Sequence, residues 1–167
     1  MIRDPAERGR ALAAFAEAVI PRLWADLESS GMLPAATVEA RWEWTGFALY
    51  ACVRGLVAAG GFNRETAAAI DALHAQVLEG WAAEDLEALD SRRARLAERY
   101  SEYGSIGQEG GAAGAATVAR RLGDACARHL LALSAELPVS AEALGELIGS
   151  MHEALAEGAA EAVRLAT

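Results

Sequence analysis

The stretch between Glu43 and Arg64 constrains the fold more than any other feature, because Arg54 is its only formal charge. In the surrounding segment, 35–59, apolar side chains recur with helical spacing and cover nearly every face of the helix they would form. Two glycines at 60 and 61 follow it. A helix that is apolar nearly all round needs other elements to enclose it. The sequence therefore predicts a central apolar helix at about 35–59.

The composition indicates that the enclosing elements are also helices. The chain of 167 residues contains 41 alanines and 15 arginines, but no lysine. Alanine and arginine lose little on entering a helix, and the β-branched residues that favour strands are few. We therefore expect an all-α fold, with a single helical domain over 1–167. Short connections favour a compact bundle of about six helices, most of them antiparallel to their neighbours.

A glycine-rich stretch at 105–116 follows the fourth predicted helix, which we place at about 82–103. It cannot be a phosphate-binding loop of the usual kind, because that motif needs a lysine. Two interpretations are left: a flexible loop, or a helix start whose glycines let a neighbouring helix approach closely. The entropic cost of ordering glycine favours the flexible loop.

Charge and hydropathy exclude several classes of partner. The net charge of −9 argues against nucleic-acid binding, which needs a basic patch, and against an anionic membrane surface. The most apolar stretch, 46–61, contains Arg54 and is shorter than the roughly 20 residues that span a bilayer. The first ten residues lack the apolar core of a signal peptide. We therefore expect a cytoplasmic protein.

Metal and catalytic motifs are not evident. His74 stands three residues after Asp71, a spacing that occurs only once, and the other histidines share no face with an acid. Cys126 and His129 lie one helical turn apart, but no oxyanion hole is identifiable beside them. Cys52 and Cys126 both lie in apolar surroundings and are expected to be buried thiols rather than a disulfide. We predict no catalytic residue, no metal site and no cofactor.

Polar and aromatic residues in apolar company nominate two candidate sites. Steps of four, three and four residues place one set on a single face of the central helix: Glu43, Phe47, Tyr50 and Arg54. Arg54 is too far from Glu43 to pair with it directly, so it needs a partner elsewhere or an exit to water. The second set lies on the fourth helix: Arg93, Tyr100 and Tyr103. Salt bridges and ordinary packing are the alternatives to a functional role.

Two functions are compatible with these features. The first is a non-enzymatic interaction, adaptor or accessory protein that acts through a helix face and binds a protein partner or itself as a homo-oligomer. The second is a helical bundle that binds a small molecule or cofactor, with an anionic ligand near Arg54. The polar groups of that second site would come from the central helix and its neighbours: Tyr50, His74, Tyr100, Tyr103 and His129.

Overall fold

The computed structural model describes residues 4–33, 36–109, 114–134 and 140–166, and these residues form helices without any strand. The all-α bundle is therefore confirmed. The six helices are α1 (Pro5–Ser29), α2 (Val38–Gly60), α3 (Arg64–Glu84), α4 (Leu89–Glu109), α5 (Ala115–Ala132) and α6 (Ala141–Leu165).

Side-chain caps explain where four of the helices begin. Asp4, Thr37, Asn63 and Ser140 each accept a hydrogen bond from a main-chain N–H in the first turn that follows. These N–H groups have no partner within the helix, so a short oxygen-bearing side chain is favoured there. Each cap fixes the start of its helix.

Two predicted boundaries were wrong. α3 continues through Gly80 to Glu84, so α4 begins at Leu89 rather than near Ala82. The predicted flexible loop at 105–116 is also wrong over its first part, because α4 continues to Glu109. A side chain at Gly107 would meet the Tyr50 hydroxyl at 3.0 Å, so this glycine provides close contact with α2 within a helix. Residues 110–113 lie outside the described residues.

Helices that follow each other in the chain run antiparallel, so non-consecutive neighbours such as α1 and α3, α2 and α4, and α2 and α6 lie side by side in parallel. Arg8 on α1 pairs with Glu65 on α3, and further along both helices Glu17 accepts a hydrogen bond from Gln76. Contacts that advance together along the two helices show that α1 and α3 run in the same direction. α2 and α4 are likewise parallel, since Gly46 lies against Leu96 and Tyr50 against Gly107.

α2 contacts each of the other five helices. Its closest neighbour is α6, where a Cβ added at Gly55 would lie 2.1 Å from the main-chain oxygen of Ala156. The two backbones can approach this closely only because residue 55 has no side chain. None of the described helices combines the length and the apolarity that crossing a membrane requires.

Candidate functional site

Five of the nominated residues meet where α2, α3 and α4 pack together, and we call them the tyrosine cluster: Phe47, Tyr50, His74, Tyr100 and Tyr103. The ring of Tyr103 lies 5.4 Å from Phe47 and 5.4 Å from Tyr50, and Tyr50 lies 5.7 Å from Tyr100. Phe47 and Tyr103 are completely buried. The sequence placed these residues on three helices, and the packing of α3 and α4 against α2 brings them together.

Hydrogen bonds inside the tyrosine cluster hold several of its polar groups. The hydroxyl of Tyr50 donates to the main-chain carbonyl of Tyr103 at 3.0 Å, and His74 Nε2 lies 2.8 Å from the hydroxyl of Tyr100. Burial raises the pKa of all three tyrosines and lowers that of His74. The cluster is therefore held in uncharged forms at neutral pH, which suits packing better than proton transfer.

Glu43 lies beside the tyrosine cluster and is paired with α4 rather than with Arg54. Both of its carboxylate oxygens accept hydrogen bonds from Arg99, each at 2.8 Å, and Arg95 lies 3.6 Å away. The Glu43 side chain is only 2% exposed. Its hydrogen bonds raise the pKa of the Arg99 guanidinium. Sequence reasoning missed Arg99, although it lies one turn before Tyr103 on the same face of α4.

Arg54 is half-buried, and its guanidinium makes no hydrogen bond or ion pair with any residue that the structure describes. It lines a shallow pocket of about 330 Å³ between α2 and α6. Glu153 and Glu157 line the same pocket, so two carboxylates accompany the one cation. That balance does not favour an anionic ligand, and the site near Arg54 stays a prediction.

The two remaining nominated residues lie away from the tyrosine cluster. Arg93 is exposed, and its neighbour Arg92 contacts α2, with its guanidinium carbon 3.7 Å from the centre of the Trp42 ring. A role for Arg93 in binding a ligand or a partner stays a prediction. His129 contacts Glu102 at 2.6 Å on the α4–α5 side.

Buried titratable groups elsewhere are shifted toward their neutral forms. Burial raises the pKa of the Cys52 thiol to about 12 and also raises that of Cys126. Both cysteines are free and buried, as expected. Burial, with Arg54 nearby, lowers the pKa of His152 to about 4. Within the described residues, no group of three or more His, Cys, Asp or Glu side chains is placed to hold a metal ion.

A cleft with mainly apolar walls opens between α1, α2 and α3. Its volume is about 400 Å³. All four tryptophans of the chain line it, and we call it the tryptophan cleft: Trp24 from α1, Trp42 and Trp44 from α2, and Trp81 from α3. None of these residues was nominated as a site residue from the sequence. The signal that could have found them is the presence of four large indoles in a small bundle.

Specific contacts hold the indoles in place. Trp44 is completely buried, and its indole N–H donates to the main-chain carbonyl of Ile20 at 3.2 Å. Trp42 and Trp81 meet edge to face, with ring centres 4.2 Å apart. Trp24 and Trp81 are 8% and 7% exposed, so the indoles form walls rather than a protruding patch. The cleft is therefore preformed by packing between three helices.

The position of the cleft follows from how α1 packs. Near its start, α1 lies so close to α3 that a Cβ at Gly9 would be 2.4 Å from that of Ala72. Further along, Pro21 removes a main-chain donor from α1, and a proline inside a helix bends the axis. Pro21 itself lines the cleft. α1 and α3 therefore meet tightly at one end, and at the other they leave a space that large side chains surround.

Few polar groups border the tryptophan cleft. Its charged lining residues are Glu17, Arg41 and Glu84, and all three are exposed. Gln76 also lines it and donates to a carboxylate oxygen of Glu17 at 2.6 Å. Apolar walls with a small number of polar groups at the opening are typical of small-molecule sites.

Among known proteins, no family model, no curated protein and no solved structure matches this chain, so the candidate site is defined by its geometry alone.

Proposed function

We propose that this chain is a non-enzymatic binding protein and that the tryptophan cleft holds a small, largely apolar molecule. The observation that carries the proposal is the convergence of all four tryptophans on one opening of about 400 Å³. Ligand pockets usually measure about 300–1,000 Å³ and have mainly apolar and aromatic walls. Because the indole walls are rigid and already packed, a ligand would bury its own apolar surface there without ordering flexible side chains.

The chemistry of the lining supports binding rather than catalysis. A catalytic site needs a nucleophile or an acid and base held in mutual contact with shifted pKa values. The titratable groups that line the tryptophan cleft are Glu17, Arg41 and Glu84, all of them exposed. The groups with strongly shifted pKa values, such as Cys52 and His152, do not line it.

The test uses a glycine at the opening of the cleft. Gly80 lies within α3 and lines the cleft, and a Cβ built on it meets nothing within 4 Å. We therefore expect Gly80→Leu to fold and to place a side chain across the opening. Gly104 on α4 offers a matched control, because its Cβ also meets open space and it does not line the cleft.

The readout is titration with the neutral probe N-phenyl-1-naphthylamine, followed by energy transfer from the indoles and by calorimetry. We expect saturable binding to the native protein and to G104L, and at least about tenfold weaker binding to G80L, which corresponds to about 1.4 kcal/mol. Equal binding to all three proteins, or no saturable binding to the native protein, would overturn the proposal. Native mass spectrometry of freshly purified protein provides a second test, by detecting a co-purified molecule.

Interaction through a helix face, with a partner protein or a second copy, is the second candidate. Two apolar side chains favour it: Val38 is 62% exposed and Leu86 is 72% exposed. Val38 is one turn before Trp42, and Leu86 is two residues after Glu84, so both lie at the end of the bundle that holds the tryptophan cleft. Light scattering tests it. A dimer that V38S/L86S converts to a monomer would support this candidate, and a strict monomer would exclude self-association.

A further inference from the structure

We infer that the ligand class of the tryptophan cleft is an organic cation, such as an alkylated or aromatic ammonium; this inference rests on the proposed function. The face of an indole ring carries partial negative charge, and tryptophan is the aromatic residue that attracts cations most strongly. Trp44 is completely buried, but the indoles of Trp24, Trp42 and Trp81 come from three helices and keep some accessible surface, so that a bound group would meet an aromatic wall from each helix.

A cation already binds one of these rings within the protein. The guanidinium of Arg92, which does not line the cleft, lies over Trp42 with its central carbon 3.7 Å from the ring centre. This contact shows that an indole of this group accepts a positive charge at close range. The other three tryptophans have no such cation among the contacts within the described residues.

The charges at the opening also favour a cation. Glu17 and Glu84 are two acids against one base, Arg41, and the whole chain carries a net charge of −9. Because an ammonium group would be only partly desolvated at this open site, the carboxylates would act mainly by attraction across the rim.

One helix end at the cleft adds to the same polarity. The last turn of α3 contains Trp81 and Glu84, which line the cleft, and it has no basic residue. The carboxyl end of a helix carries partial negative charge, which favours a nearby cation. The amino end of α2 carries partial positive charge, and Glu39 in its first turn offsets that charge.

The experiment compares three probes of matched shape: benzyltrimethylammonium, its neutral isostere neopentylbenzene, and the anion phenylmethanesulfonate. Tryptophan fluorescence and calorimetry give the dissociation constants at low and at high salt. We expect the cation to bind at least about fivefold more tightly than the neutral probe, with a preference that salt weakens. We expect the anion to bind more weakly than either.

Variants of the charged residues at the opening test which side chains cause the preference for the cation over the neutral probe. We expect E17Q/E84Q to weaken binding of the cation about fivefold without affecting the neutral probe, and R41Q to strengthen it about twofold. Glu79→Gln is the matched control, because Glu79 is an exposed acid on α3 that does not line the cleft. We expect it to leave both constants unchanged.

The failures of the two proposals are distinguishable. Equal affinity for the cation and the neutral probe, or an unchanged preference in E17Q/E84Q, would overturn the inference while the cleft kept its role as a binding site. If no probe binds to the native protein, the proposed function itself is wrong.

Discussion

The tyrosine cluster and the tryptophan cleft are both aromatic, both involve α2, and differ in how completely their side chains fill the space. In the tyrosine cluster the rings contact each other, and the hydroxyl of Tyr50 and the imidazole of His74 have partners within it. In the tryptophan cleft, four larger rings surround an opening of about 400 Å³. Polar residues in apolar company therefore indicate structure where they pair with each other, as Tyr50, His74 and Tyr100 do, and we propose ligand binding where the packing is incomplete.

The largest expected effect concerns the ion pair beside the tyrosine cluster. Glu43→Ala leaves the half-buried guanidinium of Arg99 without its bidentate partner, and breaking such a pair is expected to cost about 3 kcal/mol of unfolding free energy. Urea denaturation followed by circular dichroism measures the loss. Glu161→Ala is the matched control, because Arg164 binds Glu161 in the same bidentate manner on the exposed surface of α6. We expect almost no change there, and equal losses in the two variants would contradict this account.

The next effect is a dependence of stability on pH that originates near the tyrosine cluster. His152 is completely buried, its ring centre lies 5.8 Å from that of Phe47, and its folded pKa is about 4. Since the unfolded pKa is about 6.5, the unfolded chain binds the extra proton first, and stability falls as pH falls from about 6.5 to 4. The loss is roughly 3 kcal/mol at pH 4, where half of the folded molecules carry a protonated His152, and it levels off below that pH.

Denaturation curves at a series of pH values measure that slope. His152→Leu is expected to flatten it in this window, because the substitution removes the titrating ring and retains an apolar side chain. His129→Gln serves as the control, since His129 is partly exposed and contacts Glu102 instead. An unchanged slope in H152L would show that another group causes the acid sensitivity.

A smaller effect is expected from a single hydroxyl of the tyrosine cluster. Tyr50→Phe removes the donor to the Tyr103 carbonyl and keeps the ring contacts with Tyr100 and Tyr103. The net contribution of such a hydrogen bond is about 1 kcal/mol, which is the loss of unfolding free energy that we expect. Binding of the neutral probe should not change, because Tyr50 does not line the tryptophan cleft. A parallel loss of binding would mean that the two regions are coupled.

The smallest effect is a gain in stability at the opening of the cleft. Gly80→Ala and Gly104→Ala each replace a helical glycine whose Cβ would meet open space, so each should add about 0.5–1 kcal/mol to the unfolding free energy. Thermal denaturation of the two variants measures the gain. A loss in G80A but not in G104A would mean that the cleft is narrower than the structure shows.

The sequence was sufficient for the helical architecture because its signals are local. Asp4, Asn63 and Ser140 are short oxygen-bearing residues that directly precede a helix, and each caps its helix in the structure. Predictions from local signals were wrong where a contact between two helices determines the secondary structure. Gly107 was assigned to a loop because glycine is costly to order, but the contact with Tyr50 on α2 accommodates it within α4.

The candidate site was harder to predict for the same physical reason. Helical periodicity shows which faces are apolar, and it does not show whether two such faces fill the space between them. Trp24 and Trp81 are each typical core residues when considered on their own helices. Only the tertiary arrangement, with Gly9 close to Ala72 at one end and Pro21 at the other, leaves room between them.

The segregation of the indoles also determines what an optical unfolding experiment on this protein can detect. α4, α5 and α6 contain no tryptophan, so indole emission reports on them only through contacts with α1–α3, such as that of Arg92 with Trp42. A loosening of the tight glycine crossing between α5 and α6, at Gly123 and Gly145, could therefore leave the wavelength of tryptophan emission unchanged. Agreement between emission and circular dichroism would therefore be a stringent demonstration that the two halves of the bundle melt together.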